Sequence, residues 1–188
     1  MKQNIKPAIR LTLACMFFFM GIYTFLIYAG AQLAPGNGKA ETVVANNRVV
    51  GYKLIGQKFT EDKYFQGRPS AVDYNAAGSG GSNKGPSNPE YLLQVQARID
   101  RFMAHNPGVE KAAIPSDLVT ASGGGLDPDI SVQAALVQVK RIAGVRNLPE
   151  DQVTALVNDH IEKPLAGLFG TSRVNVLKLN IALDRLSK

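Results

Sequence analysis

Residues 11 to 34, LTLACMFFFMGIYTFLIYAGAQLA, contain no charged side chain, and this run limits what the rest of the chain can become. As a helix rising about 1.5 Å per residue, it reaches roughly 36 Å, enough to cross a hydrocarbon core of about 30 Å. Lys2, Lys6 and Arg10 precede it, and the first forty residues hold no acid to offset them. Positive charge resists translocation, so the short N-terminus is expected in the cytoplasm and the remaining chain outside. A cleaved signal peptide is the competing reading, because Ala29-Gly30-Ala31 resembles a small-residue cleavage site. The apolar stretch before Ala29 runs to about eighteen residues, longer than the usual 7–15 of a signal core, which favours a retained span. Tyr23 and Tyr28 also suit the outer interface of such a span.

The expected organisation is a cytoplasmic N-terminus over 1–10, a transmembrane helix over 11–34, a linker over 35–41 and one extracytoplasmic domain over 42–188. Beyond the N-terminal trio, 18 basic residues face 15 acidic ones, too mild and scattered an excess to argue for nucleic acid. Cys15, the sole cysteine, falls inside the span, so packing without disulfides must stabilise the domain. His105 and His160 lie far apart, with no Cys, His or clustered carboxylate at ligand spacing, which leaves no zinc site.

Past the breaker-rich linker PGNGKAE, Arg48 to Ile55 reads as a strand and Tyr64 to Arg68 as extended, because Pro69 disfavours helix before it. Gly78 to Asn88 is a long glycine-rich loop. Asn88 and Pro89 then open a helix with Leu92, Val95, Ile99 and Phe102 as its buried stripe, stopped by Asn106-Pro107-Gly108. Ala113 to Val119 reads as a short strand or extended segment, and Ser122 to Ser131 as a second glycine-rich turn leading into a helix. In that helix Val132, Leu136, Val139 and Ala143 share a face. A third helix opens at Pro149, carries Val153, Leu156, Val157 and Ile161, and ends at Pro164. Arg173 to Leu177 reads as a strand, and the last segment as strand or helix, with Val176, Leu179, Leu183 and Leu186 at helical spacing. The class is α+β: one N-terminal transmembrane helix, then a single compact mixed α/β extracytoplasmic domain with three helices and several short strands.

Neither glycine loop meets a phosphate-binding pattern: Gly78 to Lys84 lacks the spacing, and the loop at Gly123-Gly124-Gly125 lacks a lysine and carries Asp127 and Asp129. Asp117, Asp127 and Asp129 form no calcium ladder, and Asp127-Pro128 reads as a helix N-cap. Ser116-Asp117 and Ser122 lack a nucleophile elbow and a partner histidine. His160 is expected at the edge of the core and His105 at a helix C-terminus. The span carries no ionisable carboxylate or amine, so it conducts nothing alone, while Gly21, Ala29, Gly30 and Ala31 suit close packing on another transmembrane helix.

Five segments occur in order along the chain: YFQGRPSAVDYN from Tyr64, SGGSNKGPSNPE from Ser79, SGGGLDPDIS from Ser122, RIAGVRNL from Arg141 and RVNVLKLNIAL from Arg173. Together they resemble the KdpC family, a component of the Kdp potassium-transporting ATPase, over essentially the whole chain. The resemblance implies a non-catalytic member of a bacterial inner-membrane complex that imports K⁺ at the expense of ATP. Its implied partners are a channel-like potassium-binding subunit (KdpA), a P-type ATPase subunit (KdpB) and a small membrane peptide (KdpF). The chain has no D-K-T-G phosphorylation sequence and no repeated filter hairpins, so assembly, anchoring and modulation remain as its implied roles. Two roles are implied: a catalytic chaperone that raises the ATPase subunit's affinity for ATP, and a cap over the channel-like subunit's entrance. The first is sometimes tied to an ABC-signature-like sequence near Ser122-Gly123-Gly124-Gly125. Topology favours the cap, with any effect on ATP affinity relayed through the complex. No cofactor is expected on this chain; ATP and K⁺ act in the complex. The candidate partner-contact residues are Arg68 (either a polar anchor or a structural residue beside Pro69), Ser79, Gly80, Gly81 and Asn83 of one loop, and Ser122, Gly123, Gly124, Gly125 and Asp127 of the other. The alternative is a membrane-anchored extracytoplasmic binding protein or enzyme unrelated to potassium transport.

Overall fold

The computed structural model describes residues 4–186, which form two units, one through Glu41 and one from Thr42 onward. Lys2, part of the basic N-terminal trio, lies outside the described residues. In the first unit one helix, α1, runs Ile5–Ala31, 27 residues, and none of its described side chains is buried. It begins before the uncharged run and ends short of residue 34, where Gln32 to Gly38 form a chain of tight turns. Gly36, Asn37 and Gly38 all have positive φ there. The stretch Phe17–Tyr23 widens to π pitch, and Thr24 Oγ1 donates to the Phe19 carbonyl at 3.0 Å.

The second unit opens with an antiparallel hairpin, β1 (Thr42–Ala45) and β2 (Arg48–Tyr52). Asn46 and Asn47 turn it, both at positive φ, which asparagine tolerates and the twist of a two-residue hairpin demands. Sequence patterning does not single out β1, and β2 stops at Tyr52 rather than Ile55. Next comes α2 (Pro89–His105), with Asn88 Oδ1 accepting from Tyr91 N at 3.0 Å and proline at the first position. Its stripe starts a turn later than expected: Phe102 is buried, Val95 and Ile99 are half-buried, and Leu92 is 52% exposed. The strand or extended segment expected over Ala113–Val119 is instead largely a pair of 3₁₀ turns, Lys111–Ala113 and Ser116–Leu118. Pro115 between them has no N–H for a ladder, and the Leu118 and Val119 amides bond back to Pro115 and Ser116.

β3 (Asp129–Ser131) leads into α3 (Val132–Leu136) and then α4 (Val139–Arg146). The single helix expected here is broken at Val137–Gln138, so its buried face is Ala134, Ala135, Val139, Ile142 and Ala143. Asn147, left-handed at φ 53°, ends α4, and α5 (Glu150–Asp159) starts after Pro149. It stops at His160, four residues before Pro164, because Ile161–Glu162 leave it as β4. β5 (Arg173–Asn175) is followed directly by α6 (Val176–Leu186), which settles the last segment as helix with Val176, Leu179 and Leu183 buried. Among the described residues five helices thus follow α1, rather than three, and the class remains α+β. The second sheet has the order β3-β5-β4, all antiparallel, with Val174 of the central strand opposite Ile130 and Ile161. α3 and α4 pack on α5, and α5 packs on α6. Their apolar faces, with Phe65, Phe102 and the sheet, make one core.

The stretch expected to be extended, Tyr64 to Arg68, joins neither sheet. Side chains serve it as neighbouring strands would. Buried Asn180 of α6 accepts from Phe65 N at 2.8 Å and donates to Phe65 O at 3.0 Å. Buried Gln138 does the same for Gln66, at 2.8 and 3.2 Å. Arg141 donates to the carbonyls of Asp62 and Tyr64, to Asn106 Oδ1 and to Gln138 Oε1. Arg146 donates to the Lys63 carbonyl at 2.7 Å and lies over the Tyr64 ring. Gln138 also bonds the Ala134 carbonyl, its own i−4 position, at the break between α3 and α4.

Candidate functional site

The stitched stretch delivers Arg68 and the turn after it to the place where the two glycine-rich loops meet. Arg68 Nη1 donates to Asp127 Oδ2 at 2.9 Å, both side chains being part-buried. Asp127 Oδ1 accepts from Asp129 N at 3.1 Å, a local turn that starts β3 rather than the expected helix N-cap. The cap of α3 is Ser131, whose Oγ accepts from Ala134 N at 3.1 Å. Asp117 holds Ser131 in turn through its N–H and Oγ, at 2.7 and 3.2 Å.

Ser70 is the hub of the junction. Its hydroxyl donates to the Gly125 carbonyl at 2.7 Å and accepts from the amides of Val72 and Tyr74 at 3.2 and 2.9 Å. Asp73 and Tyr74 both have positive φ, an uncommon conformation that these bonds fix. The Tyr74 hydroxyl donates to the Arg68 carbonyl. Burial, with the Asp127 charge adding to it, pushes the Tyr74 phenol up to about 12.

The loops bond directly to each other and to this turn. Gly80 N and Ser79 Oγ both donate to the Gly124 carbonyl, at 3.1 and 3.0 Å, while Ser122 N donates to Pro69 O at 3.0 Å. The contact is close enough to need glycine. A Cβ on Gly81 would stand 2.6 Å from the Gly123 carbonyl oxygen. One on Gly125, at φ +70°, would stand 2.6 Å from Val72 Cγ2 and 3.0 Å from the Gly80 carbonyl oxygen. Beside them, Gly56 N bonds the Leu126 carbonyl at 2.8 Å.

The sequence-predicted residues therefore come together, with their roles divided. Arg68, Gly80, Gly81, Ser122, Gly125 and Asp127 face inward and brace the junction. Asn83 and Gly123 face solvent, with Ser79 and Gly124 exposed at the seam. Sequence reasoning passed over Ser70, Tyr74 and Gly56 as site residues; the first two lie inside the YFQGRPSAVDYN segment.

An ionic chain continues from the junction along β5. Asp129 accepts from Arg173 Nε at 2.9 Å and from Asn175 Nδ2 at 3.1 Å. Burial raises its carboxyl even so, against those two contacts. Glu162 accepts from Lys178 at 2.6 Å and from Arg173 at 3.3 Å, and the Lys178 hydrogen bond is the main cause of its lowered carboxyl.

Neither histidine takes part. His160 Nδ1 lies 2.8 Å from the Leu156 carbonyl oxygen, as expected of a core-edge residue. His105 ends α2, its Nδ1 2.8 Å from Asp62 Oδ1. Among the described residues no group of three or more His, Cys, Asp or Glu stands close enough to hold a metal. What the junction supplies chemically is a surface of backbone amides, small side chains and one ion pair.

Comparison with known proteins gives one consistent answer. The family model "KdpC: K+-transporting ATPase, c chain" matches residues 5–185. A "Potassium-transporting ATPase KdpC subunit" of Flavobacterium psychrophilum is 58% identical over 184 residues, covering 98% of this chain and 99% of the relative. The protein of the same name from Bacteroides fragilis is 51% identical over 187 residues, covering 98% of each chain. That of Caldanaerobacter subterraneus is 47% identical over 184 residues, covering 97% of this chain and 95% of the relative.

Proposed function

The chain belongs to the KdpC family of K⁺-transporting ATPase components, and on that premise we propose that it is an accessory subunit acting by binding rather than by chemistry. In this reading α1 sits in the bacterial inner membrane with its N-terminus in the cytoplasm, and the domain from Thr42 lies outside. There it caps a channel-like potassium-binding subunit and stabilises its assembly with a P-type ATPase subunit and a small membrane peptide. Any gain in the ATPase subunit's affinity for ATP is relayed through the complex, a coupling that needs no ATP site on this chain. The supporting observation is the junction itself: two loops locked by direct hydrogen bonds and glycine-only approaches, which leave Asn83 and Gly123 presented to solvent on a rigid base.

Purification of the tagged chain in mild detergent from potassium-limited cells tests this reading, with every co-purifying polypeptide identified. The expected result is recovery with a P-type ATPase and a large multi-span protein; recovery alone would overturn the proposal. Gly123→Arg, at a position where a Cβ meets nothing within 4 Å, is expected to lower the yield of complex severalfold while the isolated chain keeps its unfolding temperature. Arg68→Ala is expected to lower both, because its ion pair with Asp127 braces the loops.

A further inference from the structure

A cleft of about 470 Å³ opens between α2 and the stretch from Gln66 to Tyr74. Lys58, Arg68, Arg98, Arg101 and His105 line it, with Asp73 as the one acid among the described lining residues. Several of these side chains have partners inside the protein. Lys58 pairs with Asp73 at 2.6 Å, Arg68 with Asp127 at 2.9 Å and His105 with Asp62 at 2.8 Å. Arg98 gives Nη1 to a neutral partner, the Val119 carbonyl, at 3.0 Å. Arg101, exposed and one turn further along α2, has no ion pair or hydrogen bond among the described residues. Arg68 Nε is buried and donates to no described atom.

Arg68 reaches the cleft from the facing stretch, with Nη1 on Asp127 and Nε without an acceptor among the described residues, so its guanidinium is only partly satisfied. Arg98 and Arg101, three residues apart, are neighbours on the helix surface and bring two more guanidinium groups to the same space. Guanidinium is weakly hydrated and its forked donors match phosphate oxygens. Donors arriving from two walls suit a tetrahedral anion better than a planar carboxylate, whose oxygens lie in one plane. We infer that this cleft binds a phosphate-class oxyanion among the guanidinium groups of Arg68, Arg98 and Arg101. The phosphate group comes either free from solution or from an anionic lipid headgroup.

The full chain in maltoside micelles, titrated with inorganic phosphate against chloride at equal ionic strength, tests the inference through ³¹P line width and thermal unfolding. A second arm compares nanodiscs of phosphatidylglycerol with nanodiscs of phosphatidylcholine. Saturable phosphate binding, weakened at least tenfold by Arg101→Ala with the unfolding temperature in chloride unchanged, supports a free anion. A rise in unfolding temperature in phosphatidylglycerol alone, absent in Arg101→Ala, supports a headgroup. No response to either probe beyond chloride, or an equal response in Arg101→Ala, overturns the inference. Recovery of partner subunits plays no part in either arm, so failure here leaves the accessory-subunit reading standing.

Discussion

Asn180 offers the plainest test of how this domain is held. The residue is 2% exposed, and its amide occupies both the N–H and the C=O of Phe65, itself fully buried. Asn180→Ala leaves both groups buried and unpaired, and the expected loss of stability is about 2–4 kcal/mol, read by denaturant unfolding of the full chain in detergent. Tyr74 gives a prediction in pH. Its folded pKa of about 12 lies above the ordinary 10, so the unfolded chain releases the proton first. Its contribution is complete below pH 10 and is lost as pH rises towards 12. Absorbance at 295 nm should resolve one late phenol titration that Tyr74→Phe removes, and the variant should lose less stability over that interval than the native chain.

Elements were legible where the cue was local. The Asn88 cap with Pro89 and the apolar spacing of α5 and α6 each act over a few residues, and each appears in the structure. The misreadings have distant causes. The helix expected across Val132 to Ala143 breaks because Gln138 turns inward to serve Gln66, 72 residues away. Asp127 reads locally as a cap, yet an arginine 59 residues earlier takes one of its oxygens. The candidate site was partly visible because its glycines cluster, but periodicity carries no sign of which ones meet. At this scale Gly125 and Gly123 are expected to behave oppositely. Gly125→Ala places a Cβ against Val72 at positive φ and should cost on the order of 1–3 kcal/mol, whereas Gly123→Ala should change stability by less than about 0.5 kcal/mol. Thermal unfolding of the two variants side by side decides it.

At the scale of the whole molecule, a helix with no buried described residue is joined to a domain with its own core. Cys15, the chain's single cysteine, lies within α1 and makes a ready probe of that helix. In sealed vesicles it is expected to resist a membrane-impermeant maleimide applied from either side and to react once detergent dissolves the bilayer. Ready labelling from one side of intact vesicles would displace residue 15 from the span.

The side-chain stitching of Phe65 also sets an order of events in the life of the chain. Its partner Asn180 is made 115 residues later, and the partners of Gln66 and Arg68 arrive 72 and 59 residues after them. A polypeptide emerging from its N-terminus therefore cannot complete the Phe65 pair until its final helix has been synthesised, and loop closure over such spans delays all three. Until then Phe65 lacks the side chain that pairs with both its N–H and its C=O. The last helix is what commits it to its final shape.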